Sequence, residues 1–396
     1  MEAGLSLDLS QFPKELVLLL SLLKSEEGKC GSVCSGSSGE LDPIDWNAFL
    51  ELAVHHRVFP ALYRKLKDTQ ETVPPSVLQA LKNDYKQNTF QMLHLSAEMD
   101  AVCKLFSDAQ IRALVLKGPV LAVDLYGDIS LRTSGDLDIL VPIDKLELAE
   151  KLLAGHGYVK DEYIQTVLND WKWRHHHVTF FHRHKGIKVE VHWRLGPGPG
   201  KEPGFDALWK RRRISAVTRH PVYYLGREDL FLFLVSHGAR HGWSRLRWLM
   251  DIDRMAAQNL DVPKLRRLLQ QYGHLHIGAQ ALLLTSQLLN TPLSDELRAL
   301  TQAKRAEALA QDALFYIRQM VNLHSEPLPL EVSEYHRRHL FSLMSSTRKV
   351  LFILTFFYPY PEDANTLTLP KSLHFLYFPL RPFLWVWRKT KRLAFS

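Results

Sequence analysis

The chain has 396 residues, 46% of them hydrophobic and 23% charged, with a formal net charge of +8. That composition supports sizeable cores and two or three domains, and it excludes a chain disordered throughout. A charge of +8 spread over this length selects no anionic partner, so nucleotide, nucleic acid and acidic lipid all stay open.

Residues 1–110 read as helical. The first residues include Glu2 and Asp8, and the apolar run ELVLLLSLL is short, so no signal peptide is expected. KCGSVCSGSSGELDP reads as a flexible polar loop. Its Cys30 and Cys34, with Cys103, make neither a disulfide framework nor a zinc spacing, and the expected setting is reducing and cytoplasmic. Asp45 suits the N-cap of WNAFLELAVHHRV, and Pro60 the first turn of the helix that follows. Phe90, Leu93 and Ala97, then Val102, Leu105 and Phe106, recur at helical spacing and predict a long amphipathic helix ending before residue 110.

The pattern changes at ALVLKG (113–118), a short apolar run ending in glycine. Pro119 then opens a short helix closed by Gly127. LDILV reads as a strand, and Asp144 begins a helix with Leu146, Ala149, Leu152 and Leu153 on one face. VTFFHRHKGIKVEVHW reads as a hairpin around Lys185 and Gly186. This strand–helix–strand–helix–hairpin order makes one compact α/β unit over 111–200, ending in a linker or flap, LGPGPGKEPG. Residues 201–340 read as a helical domain completing a cleft, and 341–396 as a basic aromatic segment. No stretch reaches the roughly 18 apolar residues of a membrane span.

LRTSGDLDILV holds the chemistry. Side chains alternate along a strand, so Asp136 and Asp138 project to one side, about 6.5–7 Å apart at their Cα atoms. Two carboxylates there repel unless a cation sits between them. Converging carboxylates suit hard divalent ions, Mg²⁺ or Mn²⁺. Two such ions roughly 3.5–4 Å apart can clamp the attacking and leaving oxygens of a phosphoryl displacement. A third carboxylate is available: KVEVHW places Lys188, Glu190 and His192 on one face, opposite Ile187, Val189, Val191 and Trp193. Cations accompany the acids. Lys117 and Gly118 lie at a strand–helix junction, Arg132 precedes Asp136 by four residues, and Ser134 with Gly135 can offer backbone N–H groups to an anion.

This combination resembles the DNA polymerase β-like nucleotidyltransferase superfamily. LKGPVLAVDLYGDISLRTSGDLDILV, VEVHWRL, SHGARHGWSRLRWLMDID and the earlier IDWNAFLELAVHHRVFPALYRKL look like an uncharacterised nucleotidyltransferase family within it, found mostly in bacteria. The resemblance implies an α+β fold, a polymerase β-like core of mixed sheet and flanking helices set between helical N- and C-terminal regions. It implies an enzyme moving an NMP from an NTP, with ATP expected, to an unidentified acceptor with release of pyrophosphate. Asp136, Asp138 and Glu190 would then be the metal ligands and catalytic residues, with Lys117, Gly118, Arg132, Ser134 and Gly135 at the triphosphate. His192, His237 and Asp251 are candidates to line the cleft. One departure stands out: Pro119 follows Gly118 and has neither N–H nor hydroxyl, so Lys117 or Ser134 would take the phosphate role. A nucleotide-binding pseudoenzyme and a membrane-surface scaffold are the alternatives.

Other features read more simply. His175, His176, His177, His182, His184 and His192 match no recognised zinc spacing and read as a solvated strand face. His237 and His241 lack the glutamate of a metalloprotease helix. GPGPG offers too few amides to cradle phosphate, and WKRRR (209–213) reads as a solvated turn rather than a favoured nucleic-acid patch. The tail, with Phe375, Tyr377, Phe378, Phe383, Trp385 and Trp387 before Arg388, Lys389, Lys391 and Arg392, suits two roles. The favoured one buries its aromatics against the helical domain; the other lays it in a membrane interface.

Overall fold

A computed structural model of the chain describes residues 6–24, 43–68, 73–324 and 327–394, the last four of these by backbone alone. The expected loop at 29–43, with Cys30 and Cys34, lies outside the described residues apart from Pro43. Among the described residues four helices come first: α1 (Lys14–Leu23), α2 (Trp46–His55), α3 (Phe59–Leu66) and α4 (Pro75–Asp108). The Asp45 carboxylate accepts from the backbone N–H groups of Asn47 and Ala48, satisfying two donors that the first turn of α2 leaves open. Pro60 sits in the first turn of α3.

Along α4 the inward stripe is Met92, Leu95, Met99, Val102 and Phe106. Phe90, Leu93 and Ala97, expected to face the core, are exposed. Two stripes of the same period lie on this helix, and only the position of the sheet decides which one is buried.

The sheet has seven strands: β1 (Leu114–Val115), β2 (Asp136–Leu140), β3 (Val159–Lys160), β4 (His177–His182), β5 (Ile187–His192), β6 (Arg213–Ser215) and β7 (Val222–Tyr224). Their order is β3-β4-β5-β2-β1-β7-β6. β2 runs parallel to β5 and β1 parallel to β7, while the other pairs are antiparallel. The sheet is therefore mixed. It also runs on into 213–224, a stretch expected to be helical.

Helices α5 (Pro119–Tyr126), α6 (Leu146–Gly155) and the single turn α7 (Trp171–Arg174) lie within the sheet region. One apolar face of the sheet, with Leu137, Ile139, Val189 and Val191, packs against α4 and α6. A second core holds α1–α3 together with the helices that follow the hairpin: α8 (Phe205–Lys210), α9 (Arg227–Arg240), α10 (Leu246–Ala256), α11 (Val262–Gln271), α12 (Leu275–Leu289), α13 (Asp295–Thr301), α14 (Ala306–Arg318) and α15 (Leu330–Leu343). Leu16, Phe49, Phe231, Leu249 and Leu284 all belong to it, so the two helical stretches close into one body. Leu116, Leu121 and Leu140 anchor the sheet unit in that same core, each fully buried leucine contributing ~1.5–3 kcal/mol. Between α9 and α10, Gly242 has φ +61°, and a Cβ there would lie 2.5 Å from the Tyr316 ring. Only glycine fits this turn, which sets the direction in which α10 begins.

The C-terminal segment forms α16 (Ser346–Thr355), α17 (Pro361–Thr366) and α18 (Tyr377–Ala394), the last continuous through Pro382. Its own core is small: Val167, Tyr377 and Leu384. The favoured expectation of buried tail aromatics is overturned for Phe375, Phe383, Trp385 and Trp387, each more than half exposed, whereas Tyr377 is fully buried, in the segment's own core and not in that of the helical domain. Among the described residues no helix is long and apolar enough to cross a membrane.

Candidate active site

Parallel pairing of β2 with β5 sets Asp136 beside Lys188, Asp138 beside Glu190 and Leu140 beside His192. On the far side of β5, β4 sets His177 beside His192 and Thr179 beside Glu190. Because side chains alternate, Asp136, Asp138, Lys188, Glu190, His192 and His177 share one face, away from the apolar core. The three carboxylates expected from the sequence thus lie on adjacent strands.

Cations of the chain itself offset their repulsion. Lys188 Nζ lies 2.9 Å from Asp136 Oδ2 and 2.8 Å from Glu190 Oε1. Lys117 Nζ lies 2.9 Å from Asp138 Oδ1. His192 Nε2 approaches Asp138 Oδ1 at 3.2 Å and Glu190 Oε2 at 3.5 Å. Asp138 is fully buried, which by itself pushes its carboxyl up, but the Lys117 charge and the His192 hydrogen bond outweigh that and hold it low. Glu190 is likewise held low against its burial by His192 and His177. Burial works to lower His192, and the two carboxylates overcome it and raise it. Burial pushes His177 down to about 4 and His176 far below its ordinary value.

The donor set fits a divalent cation. Asp138, Glu190 and His192 each offer a ligand atom, and these atoms lie within 4.8 Å of one another. Asp138 Oδ2 is buried with no hydrogen-bond partner among the described residues, the kind of orphan a bound cation satisfies. Asp136 stands outside this tightest group, joined to Glu190 through Lys188.

Gly118 has φ +84°, with the nearest heavy atoms 3.8 Å from a would-be Cβ, so the backbone conformation and not crowding calls for glycine. It places Lys117 over Asp138 and starts α5 at Pro119. The Ser134 hydroxyl donates to the Asp136 carbonyl at 3.2 Å, and Gly135 is exposed beside it.

Arg132 and Asp251, expected at the triphosphate and along the cleft, pair with each other. The Arg132 guanidinium is buried and donates from Nε and one terminal nitrogen to the two Asp251 oxygens, both at 2.9 Å. Tyr126 donates to Asp251 at 2.8 Å. This bidentate pair clamps the loop before β2 to α10 and commits the Arg132 guanidinium to Asp251, while Asp138 also acts on its charge. His237 does lie near the site, with its ring 4.6 Å from His241 and 5.4 Å from Trp248. Lys117 and Arg240 are among the charges acting on it.

The sequence reading missed the arginines that face the acids from the helical body. Arg240, at the end of α9, lies in the field of Glu190 and Asp138, and Arg57, between α2 and α3, in that of Asp136. Neither guanidinium makes an ion pair or hydrogen bond among the described residues. Arg247 donates to the Thr133 carbonyl and hydroxyl, while its Nε is buried without a partner. Arg245 donates to His55 and Asn322. Burial pushes Arg240 and Arg245 down to about 10 and Arg247 to about 9. Arg240, Arg245 and Arg247 all fall within SHGARHGWSRLRWLMDID, so the signal was in a segment already singled out.

The loop at 195–204 is fixed against this cleft. Arg194 donates to the Gly198 and Gly200 carbonyls, and a Cβ at Gly196 would lie 3.4 Å from the Arg240 guanidinium.

A family model described as an uncharacterised nucleotidyltransferase matches residues 42–290. No curated protein and no solved structure matches the chain.

Proposed function

The chain belongs to this nucleotidyltransferase family, and from that premise we propose that it transfers the nucleoside monophosphate of an NTP, ATP by expectation, to an acceptor with release of pyrophosphate. The observation that carries the proposal is the in-register pairing of Asp138 with Glu190, with Asp138 Oδ2 buried and unpartnered beside Lys117. Asp136, Asp138 and Glu190 would hold Mg²⁺ or Mn²⁺, which supplies charge stabilisation at the transferred phosphoryl group.

The chain's own groups divide the remaining work. Buried Arg247, partly buried Arg240 and exposed Arg57 make no ion pair with a carboxylate among the described residues, and a triphosphate would supply the anion they lack. They neutralise the charge that grows on the leaving pyrophosphate. Lys188 shifts from Asp136 and Glu190 towards phosphate once those carboxylates are engaged. Glu190 is the group placed to receive the proton of an acceptor hydroxyl, with His192 holding its orientation. Ser134 and Gly135 stand at the head of β2, where a backbone N–H can meet a phosphate oxygen.

An NTP labelled at the α or the γ phosphate tests the reaction class, with fractionated cell extract as the acceptor source. The α label is expected in the product and the γ label in pyrophosphate. A γ label in the product makes the protein a phosphotransferase and overturns the proposal.

Two observations favour a second reading, a nucleotide-binding protein without catalysis. Lys188 already bridges Asp136 and Glu190, the place a cation would take, and Pro119 removes an amide beside Gly118. Such a protein binds NTP equally with Mg²⁺ and with EDTA and releases no pyrophosphate.

A further inference from the structure

We propose that His176, His177 and His192 form a second cation site, for a divalent ion that prefers imidazole, Zn²⁺ before Mg²⁺. The histidines expected to be a solvated strand face are drawn together where β4 and β5 pair. Each offers a ring nitrogen, and the three nitrogens lie within 4.8 Å of one another. The rings are 4.4 Å apart for His176 and His177, 5.3 Å for His176 and His192, and 4.9 Å for His177 and His192. His177 Nδ1 and His176 Nε2 face each other at 3.2 Å.

The independent pointer to a ligand is His192. It is 3% exposed, and its Nδ1 is buried with no partner among the described residues while Nε2 is taken by Asp138. A buried ring nitrogen without a partner is destabilising, and a metal bond would remove that penalty. Three imidazoles with an open fourth position are a zinc arrangement, whereas Mg²⁺ selects oxygen. His192 belongs to both donor groups, so the imidazole site abuts the carboxylate site and an ion there would orient His192 against Asp138. The inference does not depend on nucleotidyl transfer, since binding is measured without nucleotide.

Isothermal titration of the full chain with ZnCl₂ and with MgCl₂ tests it, alongside X-ray absorption of the Zn²⁺-loaded protein. The spectrum is expected to show at least two imidazole ligands. Zn²⁺ affinity should fall ~10–100-fold or more in His176→Asn/His177→Asn. An oxygen-only spectrum, or Zn²⁺ affinity unchanged in that variant and lost only in Asp138→Asn/Glu190→Gln, overturns the site. The spectrum uses wild-type protein, so a poorly folding variant does not spare the proposal.

A separate observation points to a second property. We infer that α16 and α18 dock on an anionic lipid surface. Ile353, Leu354, Phe357, Phe383, Trp385 and Trp387 are each at least half exposed, with Phe383 at 73%. The turn that follows α16 is held against α18: the Tyr358 and Phe378 rings lie 5.1 Å apart, and Arg381 donates to the Phe356 carbonyl. Exposed apolar surface this concentrated marks an interaction site. Its chemistry selects lipid, because no acidic residue follows Asp363 and the exposed tryptophans are followed in the sequence by Lys389, Lys391 and Arg392. Arg381 and Arg388 both pair with Asp363 and so hold the fold of the segment instead of meeting lipid.

Sedimentation with phosphatidylcholine vesicles, with and without phosphatidylserine, tests this. Wild type is expected to pellet with the anionic vesicles, and Phe383→Ser/Trp385→Ser/Trp387→Ser to stay in solution with an unchanged circular dichroism spectrum. Wild type remaining in solution with both vesicles overturns the inference. So does a wild-type dimer by light scattering that the triple variant abolishes, which makes the face a contact between copies.

Discussion

Arg132→Met separates a structural role for this arginine from a role at the triphosphate. The substitution keeps the length and apolar volume of the side chain but leaves the Asp251 carboxylate buried with only the Tyr126 hydroxyl at 2.8 Å. Removing one partner of a buried ion pair costs ~3–5 kcal/mol, because the remaining charge stays desolvated. At ~2.1 cal/mol/K per residue, 396 residues give an unfolding entropy of about 0.8 kcal/mol/K for a chain that unfolds as one unit. The expected fall in Tm is therefore ~4–6 °C, read by scanning calorimetry with no nucleotide present. Arg132→Met/Asp251→Leu removes the stranded charge and should regain most of the loss. A Tm within ~1 °C of wild type, together with a large loss of NTP affinity, would refute this reasoning and return Arg132 to the phosphates.

Arg240→Met is expected to act in the opposite way, weakening NTP binding ~10-fold or more while leaving Tm unchanged or higher, because an unpartnered desolvated cation is removed; paired titration and melting experiments read both. Gly118→Ala meets no clash at 3.8 Å but must adopt φ +84°, so it should cost ~1–3 kcal/mol in urea denaturation and disturb Lys117. Glu98 accepts from Lys185 Nζ at 2.7 Å and from Tyr158 at 2.7 Å, and these contacts hold its carboxyl below the ordinary value despite burial. A depressed carboxyl contributes stability above its unfolded pKa and loses it as pH falls through the folded one. Wild type should accordingly exceed Glu98→Gln by ~1–2 kcal/mol at pH 7, and the difference should shrink in urea titrations as pH falls below the unfolded carboxyl value of about 4.3 and through the lower folded one.

The carboxylates were legible because a strand's period of two fixes which residues share a face, and β2 and β5 are long enough to show it. Their partners were not. Lys188 bridging Asp136 and Glu190, and His177 beside His192, follow from strands that are adjacent in space but not in sequence. Arg132 looked like a phosphate ligand because it stands four residues before Asp136. Its true partner is 119 residues away on α10, and no local pattern reports that distance. β6 and β7 have three residues each, too few to display a period, so the sheet's extension beyond residue 200 was hidden. In the tail, composition showed aromatics and cations but carried no information on which side would be covered. The residue match over 42–290 leaves that segment outside the family's shared region.

Thermal stability of wild type and Asp136→Asn/Asp138→Asn, measured against the four NTPs with Mg²⁺ and with EDTA, tests the central claim most directly. A ligand at 100 times its dissociation constant stabilises the native state by ~2.7 kcal/mol, equivalent to about 3 °C on the entropy above. The account predicts a shift of that size with at least one NTP, present with Mg²⁺, lost with EDTA and absent from the double variant. A shift that survives both EDTA and the loss of Asp136 and Asp138 would contradict it, as would no shift with any NTP.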